Sequence, residues 1–149
     1  MDQLPTASAG YDDATRKKIN AIVAKRNLSR ASNNTRWNEL INHFRHSQEW
    51  RPFYRFKTLD DGRISSWDRE WFYHLPFPFS TVEWFDIGLK TKAGGRLLTP
   101  VDNTDEISRA VKNIGFEFEV RADVLRISGY LPKSYEDFPG LTFSSIYYR

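Results

Sequence analysis

The densest run of chemically capable side chains is Trp67-Asp68-Arg69-Glu70-Trp71-Phe72-Tyr73-His74. In an extended chain alternate residues point to opposite sides, which puts Asp68, Glu70 and Phe72 on one face and Trp67, Arg69, Trp71 and Tyr73 on the other. Two carboxylates on one face are the pairing that glycoside hydrolysis uses. The plainer reading is a solvated or salt-bridged sheet face, because acidic residues two apart are common there and a charge pattern alone identifies no chemistry. The opposite face sets Arg69 between two tryptophans, an arrangement that fits core, a cation–π unit, or aromatics offered to a partner.

His43 and His46 lie three apart on an expected helix and could share a metal if a third ligand such as His74 or Glu49 came near. That pair lacks the glutamate of the metalloprotease motif and sits on a polar helix face, so no metal and no cofactor is expected. No serine has nucleophile-elbow spacing and no phosphate-binding loop is present. Gly94-Gly95 lacks the third glycine and the following helix of a dinucleotide site. A different chemistry is open to the front of the chain. Arg16, Lys17, Lys18, Lys25 and Arg26, with Arg30 and Arg36 beyond, could contact phosphates by charge alone, although no recognised nucleic-acid-binding motif accompanies them.

The elements that would position these groups follow from periodicity. Residues 1–10 are small and polar, punctuated by Pro5 and Gly10, and suggest a loose leader. Asp12 or Asp13 can cap a helix to about Arg26, with Ile19, Ile22 and Val23 on a thin stripe. A second helix from Thr35 to about Ser47 places Trp37, Leu40, Ile41 and Phe44 at i, i+3, i+4 and i+7. Residues 53–59 alternate as a strand, Asp60-Asp61-Gly62 turns the chain, and residues 63–67 form a hairpin partner. Pro76 and Pro78 force an irregular segment. Residues 81–89 are a strong strand, and residues 93–95 turn into a short strand at 96–99. Thr104 caps a helix carrying Ile107, Ala110, Val111 and Ile114 and closing at Gly115. Residues 116–120 and 124–131 pair antiparallel around residues 121–123, and the tail from Pro132 is loop-like, ending in Tyr147-Tyr148.

Strands joined by short turns favour an α+β domain: an antiparallel sheet of about five to seven strands with two or three helices on one side. Residues 1–30 would be a disordered or helical extension, and 31–149 a single domain. Length agrees, since 149 residues suit one core. The core must be built largely of rings, because 11 Phe, 7 Tyr and 5 Trp accompany a single Met. With no Cys, disulfides, thiolate metal sites and cysteine nucleophiles are excluded, and a reducing compartment is the natural fit. The opening residues lack the basic and apolar pattern of a secretory signal and no run reaches membrane-spanning length, so neither export nor membrane spanning is expected. Charge divides unevenly: residues 1–57 carry 11 Lys and Arg against 5 Asp and Glu, residues 58–149 carry 11 against 14.

From about Thr35 to Leu89 the strings TRWNELINHFR, RFKTLDDGRISSWDREWFYHLPFP and VEWFDI resemble the core of an uncharacterised family of small bacterial cytoplasmic proteins. The resemblance implies a cytoplasmic location and no particular activity. In style, small aromatic-rich α+β chains without catalytic motifs also resemble immunity proteins, which block a cognate toxin. The acidic back half would suit a basic toxin domain. The first expectation is therefore a protein-binding module, an immunity-type inhibitor, whose exposed anchors are Asp68, Glu70, Glu83, Trp84 and Asp86. A nucleic-acid binder using Arg16, Lys17, Lys18, Lys25 and Arg26 is the alternative, and a hydrolase using Asp68 and Glu70 a third.

Overall fold

The computed structural model describes residues 3–47, 50–91 and 99–140. Local capping chemistry sets the helices. Helix α1 (Asp13–Arg26) starts where the Asp12 carboxylate accepts the N–H of Thr15 at 2.8 Å. After the short strand β1 (Ser29–Arg30), helix α2 (Asn34–Arg45) starts where the Asn33 side chain accepts the N–H of Arg36 at 2.9 Å. Its stripe of Trp37, Leu40, Ile41 and Phe44 is buried as the 3.6-residue period requires.

Four strands make the main antiparallel sheet: β2 (Tyr54–Thr58), β3 (Val82–Gly88), β4 (Phe118–Arg121) and β5 (Val124–Ser128), in the order β2-β3-β5-β4. Helix α3 (Thr104–Ile114) precedes β4 and buries Ile107 and Val111. Thr104, expected to be its cap, is its first helical residue instead: Asn103 holds the cap position without a side-chain bond, and Asp102 accepts the N–H and hydroxyl of Thr104. The helix closes at Gly115, whose φ of 108° suits a residue without Cβ. Strand β6 (Tyr130–Leu131) pairs with β1 as a separate ribbon.

The class is α+β, and among the described residues the expected single sheet of five to seven strands is a sheet of four and a ribbon of two. Residues 63–67 make only isolated bridges, Ile64 to Lys57 and, beyond them, Asp68 to Tyr54. The reason is local. The Ser65 hydroxyl, not a backbone carbonyl, accepts the N–H of Phe56 at 3.0 Å, so a side chain interrupts the ladder. Residues 92–98, which include most of an expected turn and strand, and the aromatic tail over 141–149 lie outside the described residues.

The sheet has two unlike faces. One carries Tyr54, Phe56, Phe85, Ile87, Leu125 and Ile127 and is covered by α2 and α3. Rings mesh there: Trp37 lies 5.1 Å from Phe79 and 5.0 Å from Phe116, centroid to centroid. Tilted pairs of this kind contribute about 0.5–1.5 kcal/mol beyond area burial. Ala7, in the stretch ahead of α1, is fully buried in this core. Its N–H donates to Asn38 Oδ1 and its carbonyl accepts from the Phe79 N–H, both at 2.7 Å. Helix α1 packs apart from it, setting Ile19 against Leu59 and Tyr130.

On the other face cross-strand register lines up Arg55, Asp86, Arg126 and Glu119, one from each strand, with alternating charge. Residues 133–140 cross this row and cover it.

Candidate functional site

The run from Trp67 to His74 is not an extended strand: only Asp68 pairs, as an isolated bridge to Tyr54, and the chain beyond it is irregular and bends from Phe72, which corrects the two-faced arrangement expected of it. Its carboxylates make the turn. Asp68 Oδ1 accepts the N–H groups of Arg69 and Glu70 at 2.7 and 3.0 Å. Glu70 Oε1 accepts three in succession, from Phe72 at 2.9 Å, Tyr73 at 2.6 Å and His74 at 2.8 Å. Short acidic side chains compete in this way with regular ladders for backbone donors.

Arginines hold the turn from beneath. Arg45, almost wholly buried at the end of α2, donates to the carbonyls of Trp71 at 2.7 Å and Phe72 at 2.9 Å. Arg45 and Arg51 lie over the Phe72 ring at 5.8 and 5.1 Å. Trp71 is fully buried, and its indole N–H reaches the Pro52 carbonyl at 2.9 Å. The Tyr54 hydroxyl donates to the Glu70 carbonyl, and burial pushes that phenol's pKa far up. The remaining rings face outward on this fixed backbone. Trp67 is 41% and Tyr73 62% exposed. Arg55 lies over the Trp67 ring at 5.0 Å and Arg69 over Phe53 at 5.1 Å. A cleft of about 460 Å³ beside the turn is lined by Trp50, Arg51, Asp68, Arg69 and Glu70.

Electrostatics bear on the paired-carboxylate idea. Partial burial opposes ionisation of Glu70, but the N–H donors of His74, Tyr73 and Phe72 outweigh it and hold its carboxyl below the usual range. For Asp68 burial likewise opposes ionisation, and the Glu70 N–H, the His74 ring and the Arg69 N–H outweigh it. A general acid needs its pKa raised, so both carboxyls are shifted in the opposite sense. His74 Nδ1 lies 2.8 Å from Asp68 Oδ2, an orienting contact on an exposed ring.

The other expected anchors are corrected: Trp84 and Asp86 are fully buried and Glu83 is 6% exposed, so none offers itself to a partner. Trp84 and Asp86 lie on the sheet face covered by residues 133–140. Asp86 is gripped by Arg126 Nε and Nη2 at 2.7 and 2.9 Å and by Arg55 Nε at 3.0 Å. Glu83 takes both nitrogens of Arg26, at 3.2 and 2.9 Å. Their polar types suggest a wet surface, yet their partners lie 31 to 57 residues away along the chain, a distance no local pattern spans.

The basic front divides accordingly. Arg26 is engaged by Glu83, and Arg16 pairs with Asp13 at 3.2 Å. Lys17, Lys18 and Lys25 are exposed on α1. His43 sets its ring edge-on to Phe44, and His46 Nδ1 lies 2.7 Å from the Asn42 carbonyl. Among the described residues no group of three His, Asp or Glu side chains is placed to hold a metal, and Glu49 lies outside them. Among them, too, no helix is long and apolar enough to cross a membrane.

The fold and turn define a small α+β protein with a preorganised aromatic turn. The chain belongs to a family of unknown function (DUF6678), whose model matches residues 19–134. No curated protein and no solved structure matches it.

Proposed function

We propose that this chain is a protein-binding module, an immunity-type inhibitor that caps a toxin domain in a reducing cytoplasm, with the 67–74 turn as its docking site. The observation that carries the reading is the pairing of two exposed rings, Trp67 and Tyr73, with a backbone already held by Asp68, Glu70 and Arg45. Aromatic anchors held rigid before contact bind with little ordering cost, which is how a small surface reaches high affinity. The acid excess of residues 58–149 suits a basic partner.

Calorimetry against the toxin domains encoded beside this chain's gene tests the reading. A nanomolar complex is expected, weakened about 100-fold by Trp67→Ala with Tyr73→Ala and with the melting temperature unchanged. Absence of any such complex, or a turnover abolished by Asp68→Asn, overturns it.

A further inference from the structure

The segment over residues 133–140 touches the charged sheet face as a bound ligand would. Arg126 Nη1 donates to the carbonyls of Ser134 at 3.1 Å and Glu136 at 2.8 Å. Arg55 donates through Nη1 to Asp137 Oδ2 at 3.0 Å and through Nη2 to the Asp137 carbonyl at 2.7 Å. Lys57 pairs with Glu136. Phe138 closes over Arg126 and Arg121 at 4.6 and 4.9 Å, and Tyr135 over Arg121 at 4.5 Å.

Charge and chemistry match the two sides. The sheet contributes four cations, Arg55, Lys57, Arg121 and Arg126, against two carboxylates, Asp86 and Glu119; the segment answers with Glu136 and Asp137 and with Lys133, which pairs with Glu119 at 3.6 Å. Phe138 is the segment's buried hydrophobic residue, so polar and cation–π contacts do most of the holding. Such contacts weaken with salt and leave a segment free to open locally. The fit is also incomplete. Trp84 Nε1 and Arg121 Nε are buried on this face without an acceptor among the described residues, and Asp137 is bent into the left-handed region with φ of 56°. The family match ends at residue 134, ahead of the Tyr135 to Phe138 plug.

We propose that this sheet face is a docking site for an acidic, phenylalanine-bearing peptide segment of a partner protein, and that residues 134–138 occupy it in cis. The partner recognised is one carrying adjacent acidic residues followed by a large ring. Its carboxylates meet Arg55 and Lys57, and its ring meets the guanidinium groups of Arg121 and Arg126. The inference is separable from the docking role given to the 67–74 turn: the two surfaces meet where Arg55 lies over Trp67 at 5.0 Å, but the segment is held through Lys57, Arg121 and Arg126 as well, which do not touch that turn.

Fluorescence anisotropy with a labelled peptide of residues 134–140 tests it on the full chain. In wild type the cis segment competes, lowering apparent affinity by the fraction of time the face is open. Weakening the cis segment with Asp137→Ala and Phe138→Ala is expected to raise peptide affinity at least about ten-fold. Raising salt from about 50 to about 500 mM reverses the gain, and so does adding Arg55→Met. A peptide with both acidic residues made amides is expected not to bind. A double variant that melts cooperatively yet takes up peptide no better than wild type overturns the proposal. If that variant does not fold, hydrogen exchange on wild type decides: amides of residues 135–138 are expected to exchange about 100-fold faster than those of Phe85 and Ile127, and faster still in salt. Exchange of all of them at one rate overturns the proposal equally.

Discussion

Arg126 holds its guanidinium carbon 3.6 Å from the centroid of the Trp84 ring, so the cation at the centre of the charged sheet face rests on an aromatic floor. The same guanidinium grips both oxygens of Asp86 and is roofed by Phe138. Stacking and a two-pronged hydrogen bond together require a planar arginine head group. Arg126→Met leaves Asp86 buried with Arg55 as its remaining cation, and removing one partner of a buried pair costs about 3–5 kcal/mol. Urea unfolding is expected to show a loss in that range. Arg126→Lys keeps the charge and recovers only part of it, and full recovery by lysine would mean that charge alone matters.

The depressed Glu70 carboxyl makes a prediction about acid. Its ordinary value is 4.5 and its folded value lies below that. The associated stability is therefore fully present above about pH 4.5 and is lost as pH falls through the folded value. Glu70→Gln keeps an oxygen that can accept the three N–H groups but has no proton to gain. Stability measured between pH 6 and 2 is expected to fall less steeply for the variant than for wild type, and parallel curves would remove Glu70 as a contributor. Glu70→Ala loses the acceptor as well and is expected to cost about 1–2 kcal/mol at neutral pH, as lost helix caps do.

Gly129 joins the main sheet to the ribbon, and there the backbone approach forbids any side chain. A Cβ at this position would lie 2.0 Å from the Val82 carbonyl oxygen, which is held in the sheet and cannot yield. Gly129→Ala is expected to destabilise by on the order of 3 kcal/mol or more, or to yield no folded protein. Gly62, with open space around its Cβ position but a φ of 73°, provides the contrast. Alanine there strains only the turn and is expected to cost about 1 kcal/mol.

Arg26 illustrates how a basic residue can be structural. Because Glu83 is nearly buried, Arg26→Ala strands a carboxylate and is expected to cost about 1–3 kcal/mol. Removing Lys17, Lys18 or Lys25 is expected to change stability by less than about 0.5 kcal/mol, as at other exposed sites. Thermal melts of the four single variants separate the classes.

The helices are legible in the sequence because their information is local: the Trp37, Leu40, Ile41, Phe44 stripe and the caps at Asp12 and Gly115 lie within a few residues of what they determine. Strand β3 is legible as a strand but not in its environment. Glu83, Trp84 and Asp86 look like a wet, partner-facing edge, and they are buried because Arg26, Arg55 and Arg126 reach them from other elements. One signal could have located the row: arginines placed on expected strands with an aspartate on another, in a chain whose sheet needed a second cover. The 67–74 run misleads for the opposite reason. Its alternation suggests a strand, whereas Asp68 and Glu70 have side chains short enough to cap the N–H groups ahead of them and so wind the backbone.

The unlike faces of the sheet give two denaturants different points of attack. Guanidinium ions carry the arginine head group itself and compete for Asp86, Asp137 and the carbonyls beyond them, while urea has no charge with which to do so. In guanidinium chloride the covering segment is therefore expected to come away well ahead of the ring-filled side, and in urea by a smaller margin.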